Sequence, residues 1–258
     1  MNYALLPFSP RAYRDYEGLP DIRSELQSRA ATAATNAIGN LELLDEIVEL
    51  LRDQPWAIKI DHCQEKEGRI LLAVVGVDMG RQIDKGDDVN AGFFLSNCER
   101  GKHGLQASTR IFRVACTNGA IVEDNIEQTF SIGATDTIPN DWRMELKRVI
   151  DYSFSGYGID TEAARLRNAI TKVMTTPYEM LCHLNAQGLI NDDDQCAIQK
   201  AFDDEADFTF YGFVNAVTSI AHRLRDNDHW VHAFEMEKLG GEILCGKHDL
   251  PTFQMAGC

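Results

Sequence analysis

The chain has 258 residues with 40 acidic against 25 basic side chains, a formal net charge of −15, and 44% hydrophobic residues. That composition excludes a disordered chain, a collagen, a coiled-coil rod and a small disulfide scaffold, and is long enough for one large or two small cores. The negative balance disfavours a surface that attracts nucleic acid or anionic lipid everywhere, but it leaves room for a local basic patch.

Residues 1–24 mix Tyr3, Phe8, Tyr13 and Tyr16 with prolines and charges and read as a packing arm. From Ser28 to Leu51 the pattern is helical, with Leu41, Leu44, Ile47, Val48 and Leu51 on one stripe. The period then drops to two. Trp56–Ile60 and Ile70–Val77 predict a hairpin whose long turn spans Asp61–Gly68, and the Asp- and Gly-rich stretch Met79–Val89 reads as a loop. Further strands are expected at Ala91–Ser96, Leu105–Val114 and Gln128–Ile132.

After Pro139 the pattern is helical again: Asn140–Tyr152, Thr161–Met174, Pro177–Leu184, Asn191–Phe202, Phe208–Leu224 and Trp230–Leu244. The expected architecture is α+β: an N-terminal arm and helix (1–54), a small antiparallel β core (55–135) and a helical region (136–258), folded as one compact domain. No transmembrane helix and no signal peptide are read, and no CxxC occurs among the seven cysteines, so a cytoplasmic location with free thiols is expected.

The segment Asn97–Arg113 holds Arg100, Lys102, Arg110 and Arg113 against Glu99 alone, a local excess of three positive charges in an acidic chain. Arginine forks and glycines such as Gly101 and Gly104 suit an anion site. With Phe93, Phe94 or Phe112 as stacking rings, these cations form a candidate surface for single-stranded nucleic acid. Three positions apart on a strand, Arg110 and Arg113 point to opposite faces, so one of them must find an acid or a carbonyl.

Other constellations are thinner. Cys116 with His103 is a conceivable nucleophile–base pair, but a buried structural cysteine before the Asn118-Gly119 turn is the simpler reading. Asp84, Asp87 and Asp88 share a loop whose carboxylates suit Mg²⁺, but no second carboxylate cluster with nuclease spacing supports such a site. Cys182-His183 and Cys245/His248 lack zinc-ligand spacing, and Asn191–Asp194 lacks the glycine of a calcium loop and reads as a helix cap. No cofactor fingerprint occurs, and catalysis is left open with binding favoured.

Two blocks carry a family resemblance. Gly92–Gly101, with Asn97-Cys98-Glu99-Arg100-Gly101, and Ile111–Gly119, with Phe112-Arg113 followed by Cys116, Asn118 and Gly119, resemble the phage- and plasmid-associated family called domain of unknown function 932. Cys98 stands where that family usually has serine. Tyr211–Thr218 and Leu239–Leu244 look like its N-A-[IV]-T helix and terminal L-x-G element, so the likeness covers about residues 89–245. It implies a viral or mobile-element setting without assigned chemistry. The expected function is an accessory protein that binds single-stranded nucleic acid, with homo-oligomers adding avidity. The alternatives are an acidic DNA-mimicking or anti-defence protein that binds a host factor, motivated by the excess of nine negative charges in residues 136–258, and an uncharacterised enzyme.

Overall fold

The computed structural model describes residues 14–15, 26–27, 37–100, 104–113, 119–123, 128–134, 136–226, 229–248 and 254–255. They form an α+β fold: helix α1 (Asn40–Arg52), an antiparallel β region, then helices α2 (Trp142–Ser153), α3 (Gly156–Ile170), α4 (Pro177–Ala186), α5 (Asp192–Glu205), α6 (Phe210–Asp226) and α7 (Trp230–Leu244). The strands are β1 (Arg14–Asp15), β2 (Ile58–Lys66), β3 (Arg69–Gly76), β4 (Arg81–Asp84), β5 (Asp87–Cys98), β6 (Gln106–Arg113), β7 (Gly119–Val122), β8 (Thr129–Ser131), β9 (Lys172–Val173) and β10 (Gln254–Met255). The chain divides into two compact units.

The first unit comprises residues 1–80, 90–110 and 125–159. Strand β2 runs antiparallel to β3 and β3 to β5, while β1 lies parallel to β2 and β8 pairs with β6. The long turn expected at Asp61–Gly68 is instead strand as far as Lys66, closed by Glu67 (φ 55) and Gly68 (φ 85). Ladder hydrogen bonds come from backbone, so a polar, half-buried stretch pairs as readily as an apolar one. Two successive positive φ angles also match the twist of a tight hairpin. The register slips between Ile60 and His62, leaving Asp61 as the extra residue of a bulge.

One face of this sheet, with Ile58, Ile60, Leu72, Val74, Phe93 and Leu95, is buried against α1 and α2. Helix α1 buries Leu43 in place of the expected Leu41, alongside Leu44, Ile47, Val48 and Leu51. Gly92 permits a close strand approach: a Cβ there would sit 1.8 Å from the Val74 carbonyl oxygen.

The second unit comprises residues 81–89, 111–124 and 160–258. Met79–Val89, expected as a loop, contains the β4–β5 hairpin, with Arg81 opposite Val89 and Gly86 (φ +78) at the turn. Here Asp and Gly mark a tight turn rather than an open loop. The helix expected over Thr161–Met174 starts earlier, at Gly156, and stops at Ile170. Lys172 and Val173 pair with Met255 and Gln254. A single apolar cluster gathers Ile83, Val89, Ile111 and Val122 with α4 to α7, including Leu181, Ile198, Phe202, Phe213, Val217 and Ile243. Helix α5 begins with a capping box, in which Asp194 N donates to Asn191 Oδ1 (2.9 Å) and Asn191 N to Asp194 Oδ2 (3.1 Å). No helix among the described residues is long and apolar enough to cross a membrane.

Candidate functional site

The basic segment does not present its arginines alike. Arg110 is 1% exposed, and its Nη1 donates to Asp61 Oδ2 at 2.8 Å. A buried guanidinium needs an acid, and the β2 bulge supplies one by turning Asp61 toward it. Arg113 donates through Nε to Asp87 Oδ1 at 2.9 Å and lies over the Tyr211 ring at 5.5 Å. The odd spacing that parts the two arginines thus leaves each with its own carboxylate. Arg100 is exposed and runs across the β2–β3 turn, where a Cβ on Gly68 would meet its Cγ at 2.8 Å. Lys102, Cys116 and Asn118 lie outside the described residues.

The aromatic residues expected to stack on bases are buried. Phe93 is 0% exposed and meets the Phe154 ring edge-on with centroids 6.0 Å apart, and Phe112 is 9% exposed. Both strands are buried on both faces around these positions, so neither ring offers an open face to a base.

The Asn97-Cys98-Glu99 motif ties down helix α1. Asn97 Nδ2 donates to the Ile38 carbonyl and to Asn40 Oδ1, both at 2.8 Å. Asn40 Nδ2 donates to the Gly68 carbonyl at 3.0 Å, and Asn40 N donates to Glu99 Oε2 at 3.1 Å. Glu99 therefore places a carboxylate on the first turn of α1, which has no side-chain N-cap of its own, where the helix dipole favours negative charge.

Beside this node the first unit has a groove of about 370 Å³ lined by Arg69, Ser96, Gly104, Leu105, Gln106 and residues 131–134. The Arg69 guanidinium reaches the Ser96 hydroxyl at 3.4 Å from both Nε and Nη2. Cationic, hydroxyl and amide groups on one open wall suit an oxyanion. Arg69, Ser96, Gln106 and Ser131 were not singled out from the sequence, because strand positions that share a wall are scattered along the chain and no spacing marks them.

In the second unit, three stretches singled out by the resemblance meet. A small hollow with about 20 Å³ of free space, room for one water, is lined by Arg113 and Gly119 from one stretch and by Tyr211, Val214, Asn215 and Thr218 from another. From the third, Gly240 faces the Thr218 methyl, and Gly241 lies against the Ile121 carbonyl, 1.7 Å from where its Cβ would be. Tyr211 donates to Asp87 Oδ2 at 2.8 Å, and burial raises the Tyr211 pKa so that the hydroxyl keeps its proton. Asn215, 5% exposed, lines the same hollow, and its Nδ2 finds no hydrogen-bond partner of good geometry among the described residues. Glu205 stands 3.9 Å from Arg113, and burial pushes its carboxyl up, against the pull of that arginine.

The Asp84, Asp87 and Asp88 carboxylates diverge: Asp87 is buried on Arg113 and Tyr211, while Asp84 and Asp88 are exposed. Successive strand residues face opposite sides, which separates Asp87 from Asp88.

Comparison with known proteins returns no family model, curated protein or solved structure that matches the chain.

Proposed function

We propose that this chain is a phage or mobile-element accessory protein, acting in the cytoplasm of a bacterial host, that binds single-stranded nucleic acid through backbone phosphates. The observation that carries the reading is the first-unit groove, with Arg69 on its wall and Arg100 across the adjoining turn. Its volume falls in the range of about 300–1,000 Å³ typical of sites for small ligands, which accommodates a nucleotide unit. The mobile-element setting rests on the resemblance of residues 92–101 and 111–119.

With Phe93 and Phe112 buried, contact is made to phosphate rather than to base faces, so binding is insensitive to sequence and sensitive to salt. In a chain of net charge −15 a single groove binds weakly, and association of copies would multiply it. Fluorescence anisotropy with a labelled oligothymidylate over a salt series tests this. Affinity should fall as salt rises, and Arg69→Ala and Arg100→Ala should each reduce the log–log slope by about 0.7 if each grips one phosphate. No binding at low salt overturns the reading.

A second reading has its own observation. Helix α5 ends on Asp203, Asp204 and Glu205 with no basic residue in its last turn, so negative charge sits where the helix dipole opposes it. Acids kept there against local stability suit capture of a basic host protein by a DNA mimic. A chain carrying Asp203→Asn, Asp204→Asn and Glu205→Gln should lose any basic protein that co-purifies with the unaltered chain; equal capture by both counts against mimicry.

A further inference from the structure

We infer that Cys182 and Cys196 are an oxidant-reactive thiol pair that closes to a disulfide across the α4–α5 helix hairpin.

Both cysteines are exposed, Cys182 on α4 and Cys196 on α5. The two helices are joined by five residues, 187–191, and the hydrogen bonds across their seam define which positions face each other. Asn185 Nδ2 donates to Asp192 Oδ1 at 2.8 Å and to Gln195 Oε1 at 3.0 Å. Gln195 Nε2 donates to Cys182 Sγ at 3.6 Å. Cys182 and Cys196 lie symmetrically about Leu189 in the connection, so a helix hairpin places them at the same height along the seam, and Gln195, the neighbour of Cys196, touches Cys182. The Tyr178 hydroxyl senses both sulfurs. Its pKa is raised, first by its hydrogen bond to Cys182, with the charge of Cys196 a lesser cause. Sequence spacing and the seam hydrogen bonds bring the two cysteines to one stretch of the hairpin surface.

The surroundings also suit the chemistry. The thiolate is the reactive form, and the Gln195 amide donates to Cys182 Sγ at the exposed surface of the hairpin. Among the other described cysteines, Cys98 is buried, and burial pushes the Cys63 thiol up to about 12.

The co-reactant is a peroxide. The Cys182 thiolate attacks one peroxide oxygen, the O–O bond breaks, and the leaving oxygen departs as water, giving a sulfenic acid. The Cys196 thiolate then attacks Cys182 Sγ. The S–O bond breaks, the S–S bond forms, and a second water leaves. Two thiols are oxidised and one peroxide is reduced to two waters.

The test treats the intact reduced protein with hydrogen peroxide, then alkylates it and maps its peptides. The expected product is one intramolecular link joining the peptides of Cys182 and Cys196, lighter by two hydrogens, reversed by dithiothreitol, with alkylatable thiols falling from seven to five. Cys182→Ser and Cys196→Ser should each abolish the link; both sites are exposed, so folding survives either change. Persistence of both thiols, separate overoxidation of each, or a link formed only between two chains overturns the inference.

Discussion

Asn97 reaches Asn40 across 57 positions of sequence, its amide donating to Asn40 Oδ1 at 2.8 Å while also holding the Ile38 carbonyl. All of these atoms belong to a buried stretch in which Asn40 is 0% and Asn97 2% exposed. Asn97→Ala removes two donors and strands two acceptors, a cost of about 1–3 kcal/mol for each buried group left unsatisfied. Urea unfolding should show a lower midpoint with little change in slope. Asn97→Asp should cost more, since a carboxylate would face two acceptors.

Arg110 and Asp61 form a pair in which the arginine side chain is 1% and the aspartate 16% exposed. Breaking a buried pair leaves an unpaired charge, so Arg110→Leu should destabilise by about 3–5 kcal/mol, and adding Asp61→Leu should recover part of the loss. Thermal denaturation of the two variants measures this. Partial recovery by the double variant separates lost charge pairing from lost packing.

Glu205 has its carboxyl pKa raised by burial. A raised carboxyl holds its proton more tightly in the folded state than in the unfolded chain. Its contribution is therefore fully present below the ordinary carboxylate range and is lost as pH rises through the raised value. Glu205→Gln should flatten this fall and leave the protein more stable at neutral pH. Melting temperatures recorded from pH 4 upward check the sign; a steeper fall in the variant would contradict it.

Gly241 on α7 lies against the Ile121 carbonyl of β7, 1.7 Å from where a Cβ would sit. Backbone cannot move aside as a flexible side chain does. Gly241→Ala should force the helix off the strand and cost about 3 kcal/mol or more. Gly156→Ala is the control, since nothing lies within 4 Å of its Cβ position, and it should not lower the midpoint.

The sequence carried most of the element types, because α1 and the C-terminal helices repeat apolar residues at helical spacing and β3 and β5 are apolar runs of strand length. It misplaced boundaries where polarity or glycine stood in for conformation. His62–Lys66 looked like a turn but is a half-buried strand, and the helix expected from Thr161 opens five residues earlier, at Gly156. The segments that meet around Arg113 and Tyr211 were visible as motifs, yet their roles were not, and the Arg69 groove was marked by no motif at all. That Asn97 serves α1, that Asp61 meets Arg110, and that Asp87 meets both Arg113 and Tyr211 depends on contacts whose sequence separations run from 26 to 124 positions. No local pattern encodes such pairings. The bulge that aims Asp61 is one extra residue, with no glycine to announce it.

The node around Asn40 has a kinetic consequence. The side-chain bonds of Asn40 and Asn97 to Gly68, Ile38 and each other span 28 to 59 positions, so none of them exists until long loops have closed. We expect them to form in the last stage of folding, after the nucleus has passed its barrier. Their removal should leave refolding rates almost untouched and hasten unfolding, so the node acts as a latch that sets how long the native molecule survives between openings.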